Sequence, residues 1–119
     1  MPSIVPIQFS GGVNGRGIKV AAIVTPGTLI HATSAVASVL DEIWLYAENI
    51  DTVTRTVTIE FGGTAAAGDD IVQAIPPGQG VFIVVPGVRL GGAGALTIGA
   101  FCPTANVIII TGNVNRWNP

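Results

Sequence analysis

The chain has 119 residues, of which 49% are apolar and only 10% charged, with a formal net charge of -2. That length fits one domain able to bury a core without disulfide or metal support, and no apolar run approaches the roughly 20 residues of a membrane-spanning helix. The five basic residues, Arg16, Lys19, Arg55, Arg89 and Arg116, are scattered, which excludes the basic patch that nucleic-acid binding requires.

Residues 1–17 read as an extended N-terminal arm. Pro2 and Pro6 interrupt strand pairing, and SGGVNGRG has too much backbone freedom to stand alone, so such an arm is disordered or ordered by lying on a neighbour. From Gly17 onward, short apolar or alternating runs recur between Gly, Pro, Asn and Asp, the spacing of an all-β sandwich or barrel. The first run covers 18–25, turns at Pro26 and Gly27, and continues over 28–33. Residues 32–40 form a loop with at most one helical turn.

In DEIWLYAEN, Ile43, Leu45 and Ala47 share one face, while Glu42, Trp44, Tyr46 and Glu48 share the other, which is strand periodicity. In VTRTVTIEF, Val53, Arg55, Val57, Ile59 and Phe61 take one face and Thr54, Thr56, Thr58 and Glu60 the other. Residues 49–52 between these strands are expected to form a hairpin loop. A loop over 62–70 precedes a short strand at 71–75, and Pro76, Pro77 and Gly78 close it. An apolar strand follows over 80–85. Pro86 and Gly87 are expected to turn the chain, with a short extension over 88–90 before the loop 91–94. Leu96, Ile98, Ala100 and Cys102 then alternate onto one face, and 106–114 forms the last strand.

This adds up to a single antiparallel β-sandwich or jelly-roll-like barrel of about eight strands over 18–114, with the arm before it and a C-terminal tail at 115–119. VFIVV and NVIIIT carry no charge and must be central strands or edges covered by another subunit. The chain lacks the basic start and long apolar core of a secretory signal, so it reads as a soluble protein made in a cytoplasm. Cys102 is the only cysteine, which leaves a buried, inert thiol as its reading.

Chemistry-bearing groups are sparse. Asp41 and Glu42 are strand neighbours that point to opposite faces, and Asp69 and Asp70 sit in a Gly-rich loop without further spaced oxygen ligands. His31 is the only histidine, short of the four ligands of a structural metal site, and reads as a hydrogen-bonded residue at a strand end. Ser34 and Ser38 lack an activating base. GVNGRG precedes a strand, whereas phosphate loops open a helix. No catalysis, cofactor or metal is expected.

The aromatic residues are the exception. Trp44 and Tyr46, framed by Glu42 and Glu48, are either a second core face or a contact surface for protein or carbohydrate. Trp117 beside Arg116 near the chain end is a candidate interface anchor, since both types are enriched at binding hot spots. The candidate interface is therefore Trp44, Tyr46, Arg116 and Trp117.

DEIWLYAEN, TVTIEFGGT, IPPGQGVFIVVPG and LTIGAFCPTANVIIITGNVNR, in that order over 27–116, resemble a group of small β-rich proteins of tailed bacteriophages. The resemblance implies a virion structural protein similar to head decoration or cement proteins. These bind the outside of an assembled capsid, commonly as trimers, by contact with the major capsid protein or another virion protein, and they carry no catalytic residues. Localisation on the capsid surface follows from the same resemblance. The alternatives are a glycan- or host-binding β-sandwich of a fibre or tail, and a neck or tail component.

Overall fold

The computed structural model describes residues 2–92 and 94–119. Met1, at the start of the expected arm, and Ala93, in the expected loop 91–94, lie outside the described residues. The described chain forms nine strands. They are β1 (Ser3–Ile7), β2 (Ile18–Lys19), β3 (Thr28–Ala32), β4 (Leu40–Asn49), β5 (Arg55–Phe61), β6 (Asp70–Ile75), β7 (Phe82–Gly91), β8 (Thr97–Phe101) and β9 (Ile108–Asn118).

Two antiparallel sheets result. The first has the order β1-β9-β4-β7, with β2 also pairing β9, and the second has the order β3-β8-β5-β6. From β2 onward the pairings nest: β5 with β6, β4 with β7, β3 with β8 and β2 with β9. Such nesting is one long antiparallel hairpin rolled over itself into two sheets, the jelly roll. The chain is a β-sandwich with a jelly-roll strand order.

Period-two alternation places the core between the sheets. Ile43, Leu45 and Ala47 of β4 and Ile108, Ile110 and Val114 of β9 face Val57 and Ile59 of β5 and Ile98 and Ala100 of β8, all buried. Each fully buried Val, Leu or Ile contributes about 1.5–3 kcal/mol of transfer free energy. Cys102 joins this core as a free thiol.

Several expected boundaries move. The arm is not loose over 3–7: β1 pairs with Val114 to Asn118 of β9, with Pro6 opposite Asn115. The tail is likewise no separate element, because β9 continues to Asn118. The first run stops at Lys19, since the Thr28 hydroxyl accepts from the amides of Ala21 and Ala22 at 3.2 and 3.0 Å. Those bonds lead the chain out of the first sheet into the second.

β4 and β5 form no hairpin, for they lie in different sheets. The Asn49 side chain accepts from the Asp51 amide at 2.8 Å and donates to the carbonyls of Val53 and Ile75, both at 2.8 Å. This clamp arches the chain across the sandwich, so the apolar faces of both strands meet the same core. Val53 falls in the arch, outside β5, and is 50% exposed.

Pro86 and Gly87 do not turn the chain either. They sit inside β7 as a bulge: Ile43 pairs with Val88 while Trp44 pairs with Pro86, so Gly87 is the extra residue. Its φ of 83° is accessible to glycine. Of the two uncharged runs, NVIIIT enters the centrally placed β9 at Ile108, whereas VFIVV enters β7, at an edge, at Phe82. The proline and the bulges make that edge a poor template for further pairing.

Candidate functional site

Adjacent residues on a strand point to opposite faces, so β4 and β9 present two different surfaces. On the outer face of the first sheet, the register sets Glu42 opposite Asn115, Trp44 opposite Asn113 and Leu40 opposite Trp117. On its other flank Glu42 pairs with Arg89 of β7. Among the described residues no second layer covers this face, and Glu42, Trp44, Tyr46 and Trp117 are all partly buried.

Glu42 organises the patch. Its Oε1 accepts from Trp44 Nε1 at 2.7 Å and from Asn115 Nδ2 at 3.1 Å. The Trp44 indole, then the Asn115 amide, hold its carboxyl below the usual range against a smaller opposing effect of burial. The nearby Trp117 indole and the positive charge of Arg89 add to that. Trp117 Nε1 nevertheless makes no hydrogen bond of good geometry, so its influence on Glu42 is the weaker one.

The aromatic rings are fixed from below and from the side. The Trp44 ring lies over Gly87, where a Cβ would fall 2.7 Å from its Cζ2. The Arg89 guanidinium stacks 4.4 Å from the centre of the Trp117 ring, a cation–π contact. Beyond Trp117 the face runs into a pocket of about 480 Å³ walled by Pro2, Ile4, Leu40, Trp117 and Pro119, among others.

Of the four expected interface residues, Trp44, Tyr46 and Trp117 therefore share the outer face. Arg116 does not. It projects inward, where its Nε and Nη2 donate to Asp41 Oδ1 and Oδ2 at 2.7 and 2.8 Å. The cation beside the Trp117 ring is Arg89 from another strand, which sequence adjacency could not reveal.

The inner face holds a polar brace. Asp41, 0% exposed, also meets His31 Nε2 at 2.8 Å, and His31 is 1% exposed. His31 belongs to the second sheet, and Asp41 and Arg116 to the first, so the three residues tie the layers together. Burial raises the Asp41 pKa, but the hydrogen bond from Arg116, then that from His31, and the Arg116 charge outweigh it, leaving the carboxyl below its ordinary value. The same pairing raises Arg116.

His31 Nδ1 accepts the backbone N–H of Ser10 at 3.0 Å, which fixes the imidazole proton on Nε2, facing Asp41. Ser10, His31 and Asp41 are the residue types of a nucleophilic triad, but the Ser10 hydroxyl accepts from the Ala32 amide at 2.8 Å and has no bond to the ring. What the geometry supports is a brace without a path for proton transfer from the serine.

A second buried acid sits on the outer face of the other sheet. Glu60 accepts from the Gly27 amide at 2.6 Å and from the Thr25 hydroxyl at 2.5 Å, pinning the turn before β3. Its carboxylate reaches that turn across Gly99, where a Cβ would lie 3.3 Å from Oε1. Sequence reasoning assigned Glu60 to a polar face and missed this role. Asp70 is placed in β6, at the end of the loop, and Asp69 Oδ2 caps the Ala65 amide at 3.0 Å.

The brace was partly legible. Asp41 is in phase with Ile43, Leu45 and Ala47, and a charge in phase with a core face must find a buried partner. Which partner it finds is a tertiary matter, since His31 and Arg116 lie 10 and 75 residues away. No protein-family model matches this chain, and no curated protein matches it.

Proposed function

We propose that this chain is a structural protein of a phage virion, a capsid decoration protein that binds the outside of the assembled head as an oligomer and stabilises it. The observation that carries the reading is the outer face of the first sheet. There Trp44 is held by a hydrogen bond and Trp117 by stacking, Tyr46 shares the face, and the face runs into an apolar pocket. Rigid aromatic anchors of this kind bind protein at low entropic cost. The low charge content and the exposed Ile4, Val5, Val72 and Ile83 support a body that is meant to be covered. The ordered resemblance over 27–116 supplies the virion context, and the major capsid protein is the partner it implies. Many weak contacts on a lattice would add up by avidity.

The test is co-sedimentation of the purified protein with assembled heads of the phage that encodes it, prepared without this component. Saturable binding and a higher disruption temperature of the heads are expected. A double substitution, Trp44→Ala with Trp117→Ala, should weaken binding by about 30-fold or more, the scale of a hot spot. Absence of binding to heads overturns the proposal, and capture by a glycan array through the same face would move the chain to a fibre or tail.

A further inference from the structure

The edge of the second sheet at β3 is covered by the chain's own segment 10–12. Three hydrogen bonds hold it there: Gly11 N donates to Ile30 O at 2.9 Å, Ala32 N donates to Ser10 Oγ at 2.8 Å, and Ser10 N donates to His31 Nδ1 at 3.0 Å. The approach is close, because a Cβ on Gly11 would lie 2.3 Å from the Leu29 carbonyl oxygen. The cap thus occupies edge groups that a neighbouring strand could otherwise use.

We infer that this segment is an acid-released cap, with His31 as its latch. In the closed state the Nδ1 lone pair is committed to the Ser10 amide, and Nε2 carries the ring proton toward Asp41. A proton from solvent can add only at Nδ1, and once there it faces the Ser10 N–H, donor against donor. Closed cap and protonated ring are therefore mutually exclusive, and proton binding selects the open cap. The linkage has a fixed slope: where the open state holds one proton more than the closed state, each pH unit favours the open state by about tenfold.

The charges around the ring set how the imidazolium is received. Asp41 faces it from β4, and Arg116 of β9 lies across that same carboxylate. On β8 its pairing partner is the uncharged Ile98, and from the segment before the cap it meets the Phe9 ring, with centroids 5.9 Å apart. Asp41 already neutralises Arg116, so the imidazolium gains only part of a counter-charge and the site becomes net positive. Segment 10–12 opens while β1 keeps its own ladder on β9. Release frees the Ile30 carbonyl and the Ala32 amide at an edge of the sheet.

The experiment is an NMR pH series on the full chain, reading the His31 ring nitrogens and amide exchange corrected for intrinsic rates. At neutral pH the ring should be the Nε2–H tautomer, with Ser10, Gly11 and Ala32 protected. On acidification these three amides should lose protection by about tenfold per pH unit, in step with His31 protonation, while core amides of β4 and β9 stay protected. His31→Gln should abolish the step. If that variant fails to fold, the wild-type series decides alone. The inference is overturned if His31 remains neutral until global unfolding, or if it protonates while the three amides keep their protection.

Discussion

Asp41 and Glu42 are neighbours with the same charge, as Arg116 and Trp117 are neighbours on the facing strand, yet the two faces of this strand pair have opposite fates. Inside, the buried Asp41 and the partly buried Arg116 form a bidentate pair that joins His31 across the sandwich. Outside, Glu42 aligns Trp44 and Asn115 in a patch that stays open. A carboxylate between sheets must be matched by cations because burial penalises it, whereas one on an uncovered face is free to orient a ring. Stability thus belongs to the inner face, and the recognition proposed for this chain to the outer one.

Breaking the inner face should have the largest effect. Arg116→Met leaves Asp41 buried with only a neutral His31, and the loss of one partner of such a pair costs about 3–5 kcal/mol. Denaturant titration should show it, with head binding per folded molecule unchanged. Glu60→Ala strands the Gly27 amide and the Thr25 hydroxyl and should cost about 1–3 kcal/mol by the same measurement.

Acid sharpens the first prediction. The folded Asp41 pKa lies below its ordinary 3.8, so its contribution to stability is present above that value and is lost as pH falls through the lower folded one. In Arg116→Met the support for the carboxylate is reduced, so acid unfolding should begin at a higher pH than in the parent. A midpoint unchanged between the two proteins would show that the pair does not govern acid stability.

On the outer face the effects on folding should be small. Arg89→Ala removes the stacking on Trp117 and should cost about 0.5–1 kcal/mol while weakening head binding. Glu42→Ala, which removes the acceptor of the Trp44 indole, should cost only about 0.5–1 kcal/mol and reduce binding by releasing that ring from its fixed orientation. A large stability loss in either variant would dissolve the division between the two faces.

Much of the fold was readable because strand periodicity is local. The alternation of Ile43, Leu45 and Ala47, and of Val57 and Ile59, located the core directly, as did Ile98 and Ala100. Where the reading failed, a side chain made a bond to something distant. Asn49 turned an expected hairpin into an arch by reaching the Ile75 carbonyl. Thr28 ended the first run early through Ala21 and Ala22, and Gly87 became a bulge beneath Trp44 because β4 continued past it. Trp44, Tyr46 and Trp117 share the outer face, while Arg116 turns to Asp41 because its direction depends on the phase of β9, a strand that runs further than its apolar residues suggested.

From composition and alternation alone, this chain had to be a single all-β domain with a dry interior and a sparsely charged exterior, since period-two burial and β-branched runs admit little else. Which strands pair, that β1 joins β9, and that Asp41 meets His31 and Arg116 while Glu42 meets Trp44 were decided only in three dimensions. Those choices depend on long-range register, and a shift of one residue would exchange the buried and exposed faces of β4 and β9.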